Sequence, residues 1–469
     1  MRDRLSKIVA TVGPASASPS MLEQLNKFGV DVFRLNFSHG EQEAHGEVIN
    51  ALREVEARSG RPLAIFADLQ GPKIRCGTLP DGAIELRFGE KVTISPEETS
   101  HDPSVIPVPH PDLLKVLEVG DILMLDDGKL QLEVLEKEID QLDVKVTAGG
   151  ILKDRKGVNI PTRQLPISAL TTKDKQDLAF ALEKSVDFIA LSFVQRPDDI
   201  LEARRLIDGR AGIIAKIEKP SAVEAIDDII ELSDAIMVAR GDLGVEMPPE
   251  QVPVLQRRII RACRAKGVPV IVATHMLETM VDSPTPTRAE ASDVSTAIMQ
   301  GADAVMLSAE TAVGHHPLSA VAIMDRIIKA SELEGEGGQA LPELQGFSDL
   351  STADSISRAA SAITEADDVK ALVAYTKTGS TAQRLSRERP PVGLLALTPD
   401  KTPARRLCLS WGIEPVISDD VGSFDEMHLN AQTAARQHTN AREGDRIVVV
   451  TGYPFGRPGK TNTINISRL

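Results

Sequence analysis

Lys216, Glu218 and Asp242 stand at the ends of two neighbouring apolar runs, residues 212–218 (GIIAKIE) and 235–242 (AIMVARGD). Lys216 and Glu218 are two residues apart, so on a strand their side chains point to the same side. Two carboxylates, completed by substrate oxygens and water, suit the hard octahedral coordination of Mg²⁺, with Mn²⁺ as a possible substitute. No cluster of His and Cys competes for the metal. A lysine beside such a cation can stabilise charge spread over a transferring phosphoryl group. The plainer alternative is a set of charged strand ends, solvated or salt-bridged, with Lys216 the partner of a nearby acid.

Other apolar runs end in the same way. One ends in Arg34, Asn36, Ser38 and His39, the next in Asp68, Lys73 and Arg75. Arg240 and Gly241 precede Asp242, and later runs end in Thr274 and in Ser308 and Glu310. Such crowding of ionisable groups is hard to explain as packing. It calls for an architecture that brings strand ends together.

The runs cover residues 7–13, 32–38, 63–70, 186–193, 212–218, 235–242, 268–274 and 304–310, each followed by a helix-length amphipathic stretch. Runs apolar throughout suit strands buried on both faces, and alternation with helices demands parallel pairing. Eight such units predict a (β/α)8 TIM barrel, in which the C-terminal strand ends converge on one pocket. Between the third and fourth runs the pattern becomes alternating, as in KLQLEVLEKEIDQLDVKVTAG, with turns at PDG and DDG. The expected division is barrel over 1–70, an inserted small β-barrel cap over 71–155, barrel again over 156–332 and a Gly/Glu-rich linker over 333–350. A C-terminal doubly wound α/β domain follows over 351–469, from the runs VKALVAYT, VGLLALT, IEPVIS and DRIVVVTG.

Bulk properties agree. A chain of 469 residues is expected to form roughly three domains, and 42% hydrophobic with 26% charged residues is ordinary globular composition. A formal charge of −15 repels nucleic acid and anionic lipid, so neither is an expected partner. Three widely spaced cysteines and the lack of any apolar run near 20 residues point to a cytoplasmic protein without disulfides or a membrane span.

RLNFSHG at 34–40, DLQGPKIRCG at 68–77, KGVNIP at 156–161, KIEK at 216–219, MVARGDLG at 237–244 and MLSAET at 306–311 resemble the pyruvate kinase family. The match runs through nearly the whole chain, with the β insertion at the family's place. The resemblance implies transfer of the phosphoryl group of phosphoenolpyruvate to ADP, giving pyruvate and ATP in glycolysis. In that reading Arg34 contacts the transferring phosphate, Lys216 stabilises the transition state, and Glu218 and Asp242 bind Mg²⁺. Gly241 and Thr274 receive the substrate carboxylate, with Asp242 and Lys216 beside it. Asn36, Ser38, His39, Arg75 and Lys156 lie on the nucleotide side, and Thr274, Ser308 and Glu310 form the proton-relay region.

Many family members hold a monovalent cation with residues matching Asn36, Ser38 and Asp68. Lys73 here resembles the potassium-independent branch, and its ammonium is expected to fill that pocket in place of potassium. In the third domain, TKTGST (Thr376, Lys377, Thr378, Gly379, Ser380 and Thr381) follows an apolar run and opens a helix, a ready anion site. The resemblance makes it a pocket for a phosphorylated allosteric effector, beside the loop 452–462, and implies a homotetramer. The rival readings are an aldolase-type lyase that binds pyruvate or phosphoenolpyruvate at Mg²⁺, and a non-catalytic metabolite sensor.

Overall fold

The computed structural model describes residues 2–334, 351–455 and 461–469. All eight expected barrel strands form: Lys7–Val12, Val32–Asn36, Ala64–Asp68, Phe188–Leu191, Gly212–Ile217, Ala235–Ala239, Val270–Ala273 and Ala304–Leu307. They pair in parallel into a closed barrel, with the first strand bonded to both the second and the eighth. Seven of the eight are buried at every residue, which is why they read as continuous apolar runs instead of alternating ones. The inner layer packs Val9, Phe66, Ile214, Met237 and Met306 together.

Helix starts are written in the sequence. Thr171 and Asp174 form a capping box at Thr172–Glu183, as do Thr287 and Glu290 at Arg288–Met299. Asp174 has a second partner, since its Oδ1 accepts the N–H of Gly71 at 3.1 Å, where the chain leaves the barrel for the cap.

The cap departs from expectation in two ways. Its strands form a six-stranded and a two-stranded sheet around one core, not a single closed barrel. Gly149 and Gly150 break the run after Leu142–Ala148, and the φ of +155° at Gly150 lets Gly150–Lys153 pair with Ala83–Leu86 instead. The cap also ends later than residue 155. Val158–Asn159 pairs antiparallel with Ile122–Leu125, and Val158, Ile160 and Leu165 belong to the cap's core.

The C-terminal sheet runs, in space, Ile413–Ile417, Leu394–Thr398, Val369–Tyr375, Arg446–Gly452, Thr461–Arg468, with only the last strand antiparallel. Its two faces bury separate apolar clusters, as a doubly wound sheet requires. This domain closes the N-terminal end of the barrel: Cys408 and Leu409 join the barrel's inner cluster. Arg405 grips Glu56 at 2.5 Å, Arg61 reaches Glu414 at 2.6 Å, and the Arg389 guanidinium lies 4.6 Å from the Trp411 ring centroid. Cys408 and Trp411 are therefore packing residues. The expected linker over 333–350 lies outside the described residues beyond 334, and part of the loop 452–462 does as well. No helix among the described residues is long and apolar enough to cross a membrane.

Candidate active site

The barrel register places Ala190 of the fourth strand beside both Asp68 and Ile214, so Asp68 at the end of the third strand and Lys216 near the end of the fifth meet across the fourth at one rim. Asp68, 1% exposed, is the hub there. Its Oδ2 accepts from Arg34 Nε at 2.7 Å, and its Oδ1 lies 3.2 Å from the Lys216 ammonium. Arg34 also donates to Thr11 Oγ1 at 3.1 Å, which fixes the guanidinium plane. Lys216 is 2.9 Å from Glu218 Oε1 and donates to Ser192 Oγ at 2.6 Å. Burial opposes the ammonium, but Asp68 and Glu218 outweigh it and raise its pKa, so Lys216 is charged across the physiological range. Burial likewise opposes Asp68, and Lys216 and Arg34 hold it below the usual carboxylate range.

Glu218 is buried, and its Oε2 accepts the N–H of Phe193 at 2.7 Å. Burial raises its pKa, Lys216 lowers it and the like charge of Asp242 raises it again, leaving it pushed up to about 7. Asp242 is exposed at the start of the helix Arg240–Glu246 and has no hydrogen bond or ion pair among the described residues. A buried carboxylate whose pKa is raised by its neighbour's like charge, beside a second carboxylate without a protein partner, forms a donor set that a hard dication satisfies. The residues present therefore fit Mg²⁺. The described residues hold no group of three or more His, Cys, Asp and Glu suited to a metal, so substrate and water must supply the other ligands.

Thr274 and His275, at the end of the seventh strand, have φ of 68° and 53°. A β-branched residue in the left-handed region stores strain of about 1–3 kcal/mol, as functional sites often do. Thr274 Oγ1 accepts the N–H of Gly241 at 2.8 Å and donates to Ala273 O at 2.7 Å. A Cβ on Gly241 would lie 3.4 Å from that hydroxyl, so glycine keeps the backbone close. Arg240 braces the turn, donating to Thr274 O at 2.6 Å and pairing with Asp293 at 2.7 Å. Glu310 accepts one backbone N–H at each oxygen, from Leu277 at 3.1 Å and from Ser308 at 2.6 Å, and so braces the two loops of the expected proton-relay region. Of the two hydroxyls in that region, Thr274's is engaged with Gly241 and Ala273, and Ser308 Oγ is buried without a partner.

Lys73 is a correction. It is exposed, makes no hydrogen bond or ion pair among the described residues, and does not fill a pocket at Asn36, Ser38 and Asp68. The tight turn in which Lys73 N bonds Gly71 O at 2.9 Å sends the chain outward, and Asp68 is already held by Arg34 and Lys216. Asn36 Oδ1 accepts the N–H of Ser38 at 3.2 Å. The remaining nucleotide-side candidates line the approach to the cap. His39 is exposed, Arg75 donates to Arg155 O at 2.9 Å, and Lys156 pairs with Asp126 at 2.7 Å. The turn at Asp126–Gly128 touches the barrel, since a Cβ on Gly128 would lie 3.6 Å from Val245.

In the third domain, Thr376 Oγ1 accepts the N–H of Gly379 at 2.9 Å, and Gly379, with φ +93°, starts the helix Ser380–Arg387. Thr381 bonds Thr461 at 2.7 Å, Thr378 bonds Ser380 at 3.2 Å, and Lys377 stands 4.0 Å from Asp420. This loop leaves the C-terminal end of Val369–Tyr375, next to Arg446–Gly452, where the sheet's strand order reverses, the usual crevice of a doubly wound fold.

Sequence reasoning missed Ser192, which passes the Lys216 contact on to Leu69 O at 2.7 Å. A serine at a run's end carries no pattern of its own. Only the rule that strand ends converge could have drawn it in.

A family model described as pyruvate kinase, barrel domain, matches residues 3–321, and one described as pyruvate kinase, alpha/beta domain, matches 354–467. The chain is 49% identical to a pyruvate kinase of Agrobacterium vitis over 100% of its own length and 97% of that protein's. It is 46% identical to one of Methylorubrum extorquens, covering 99% of this chain and 98% of the other. The crystal structure of a pyruvate kinase from Cryptosporidium parvum superimposes with a TM-score of 0.92 at 32% identity, covering 99% of this chain and 96% of that one.

Proposed function

The chain belongs to the pyruvate kinase family, a phosphotransferase of glycolysis acting on phosphoenolpyruvate and ADP, and from that premise we propose how its own residues carry the reaction. The observation that carries the proposal is the convergence of Arg34 and Lys216 on one buried aspartate, beside the carboxylates of Glu218 and Asp242. Lys216, permanently charged and aimed by Asp68, Glu218 and Ser192, stabilises the oxygens of the transferring phosphoryl group. Arg34, held flat by Asp68 and Thr11, orients that group for in-line transfer. Bound between Glu218 and Asp242, Mg²⁺ would neutralise developing charge and fix substrate oxygens. The backbone at Gly241 and the hydroxyl of Thr274 take the substrate carboxylate, and the Thr274 and Ser308 hydroxyls stand where the enolate is protonated. Arg75 and Lys156 bring positive charge to ADP from the cap. The whole-chain pyruvate kinase relatives favour this over the lyase and sensor alternatives.

Pyruvate formation from phosphoenolpyruvate and ADP, followed by a coupled lactate dehydrogenase assay, is expected to need Mg²⁺ and to be insensitive to replacing an organic salt by KCl at equal ionic strength. Potassium independence rests on Asp68, the acid of the expected cation pocket, being already paired with Arg34 and Lys216. A strong rise in turnover with KCl would show that a monovalent cation acts there all the same.

The metal reading has a signed pH dependence. The folded-state pKa of Glu218, near 7, lies above its ordinary value of 4.5, so the metal-free site keeps a proton that a cation must displace. Below about pH 7, Mg²⁺ binding should weaken by up to about tenfold per pH unit as one proton competes. Titration calorimetry at pH 8 and pH 6 checks this, and equal affinities would refute it. By the same sign, the favourable contribution of neutral Glu218 to metal-free stability is complete below about pH 4.5 and is lost as pH rises through about 7.

The Thr376–Thr381 loop is proposed as the site of a phosphorylated effector, supported by its hydroxyls, the helix start at Gly379 and the half-exposed Lys377. Lys377→Ala should raise the effector concentration for half-maximal activation by about tenfold, the effect of one charge-assisted hydrogen bond. Equal activation of variant and wild type would end this reading. The homotetramer and cytoplasmic setting implied by the family resemblance belong to the same proposal.

A further inference from the structure

Both crossings between barrel and cap end on one cluster that the phosphoryl-transfer residues leave unused. On the way out, Gly71 takes φ +72°, and a Cβ there would lie 2.7 Å from the Phe193 ring. Phe193, itself at φ 56°, holds Glu218 through its N–H, and the Lys219 ammonium lies 5.7 Å from its ring centroid. On the way back, Asn159 donates Nδ2 to Glu246 Oε1 at 2.6 Å, and the same oxygen pairs with Lys219. Glu246 is 4% exposed, and its Oε2 is buried with no partner. A half-satisfied buried carboxylate is costly, so packing alone does not account for an acid at this position.

We propose that Glu246 is a positioning residue that ties the cap's returning strand to the two segments carrying Glu218 and Asp242, so that the setting of the cap is transmitted to both carboxylates. Lys219 directly follows Glu218. Glu246 lies four residues after Asp242 on the helix Arg240–Glu246, one turn along the same face. A cap movement that displaces Asn159 therefore pulls on Glu246 and shifts both acids together, while Lys219 carries the strain into the Phe193 turn that bonds Glu218. The inference rests on the reading of Glu218 and Asp242 as the metal pair.

The test uses the full chain without substrates, with Mn²⁺ as the probe read by electron paramagnetic resonance, and amide hydrogen exchange across residues 158–160. Asn159→Ala and Glu246→Gln are each expected to weaken Mn²⁺ binding by about tenfold, the range for residues that orient a metal ligand. Exchange at 158–160 should quicken by a similar factor. The double variant should bind Mn²⁺ no worse than Glu246→Gln alone, because both changes break one chain of contacts. Asn159→Ala leaves the Lys219–Glu246 pair intact, so it keeps the test open should Glu246→Gln fold poorly. Unchanged Mn²⁺ affinity in folded variants, with wild type binding normally, overturns the inference alone. A wild-type chain that binds no Mn²⁺ overturns the metal reading and this inference with it.

Discussion

Lys216→Ala is expected to lower kcat by about 10³-fold, with a smaller change in the KM for phosphoenolpyruvate. One preorganised donor aimed at developing negative charge is typically worth about 10²–10³ in kcat, and Lys216 carries a full charge in a buried site. The same substitution strips a cation from both Asp68 and Glu218, which are 1% and 2% exposed. Leaving buried charges uncompensated costs about 3–5 kcal/mol, so the melting temperature should fall as well. The two effects separate because Asp68 keeps Arg34, whereas Glu218 is left beside the like charge of Asp242 and takes up a proton more readily. The stability deficit should therefore shrink as pH falls below about 7, and the kcat deficit should not. Steady-state kinetics and thermal melts at pH 6 and pH 8 check both parts. A folded Lys216→Ala enzyme within tenfold of wild-type kcat would remove Lys216 from the chemistry.

The barrel and half of its site are legible in the sequence for a common reason. Strands buried on both faces must be apolar throughout, and the first polar residue after each run marks the rim where side chains converge. The two-residue step between Lys216 and Glu218 fixes a shared direction, and the structure keeps it at 2.9 Å. What failed depends on contacts that have no period. Val158–Asn159 is a two-residue strand, too short to alternate, so the cap's return could not be separated from the barrel segment that follows it. Alternation in 71–155 gives strands but not their partners, and the glycine pair at 149–150 decides the split into two sheets. Lys73 carries a suitable charge at a suitable position, yet a tight turn directs it outward. Ser192 and Glu246 act across 24 and 87 residues of sequence, through hydrogen bonds that no local pattern announces.

Asp242→Ala is the sharper experiment, because its effects on activity and on stability should part completely. Asp242 is exposed and without a protein partner, and truncation at such a site usually shifts stability by no more than about 0.5 kcal/mol. Removing it also takes a like charge away from Glu218, which if anything relieves the metal-free fold. Yet half of the protein's carboxylate donor set for the dication goes with it. Residues that merely orient a metal ligand are worth about 10–100-fold in affinity, so loss of the ligand itself should weaken Mg²⁺ binding by at least about 100-fold. Turnover at fixed low Mg²⁺ should fall by a similar factor and recover in part as Mg²⁺ is raised. With its neighbour's charge gone, Glu218 should also titrate lower, moving the pH at which remaining metal binding fails below about 7. An Asp242→Ala protein with unchanged melting temperature and unchanged Mg²⁺ dependence would show that the exposed carboxylate is only a solvated strand end, and the metal would then have to be sought elsewhere on the barrel rim.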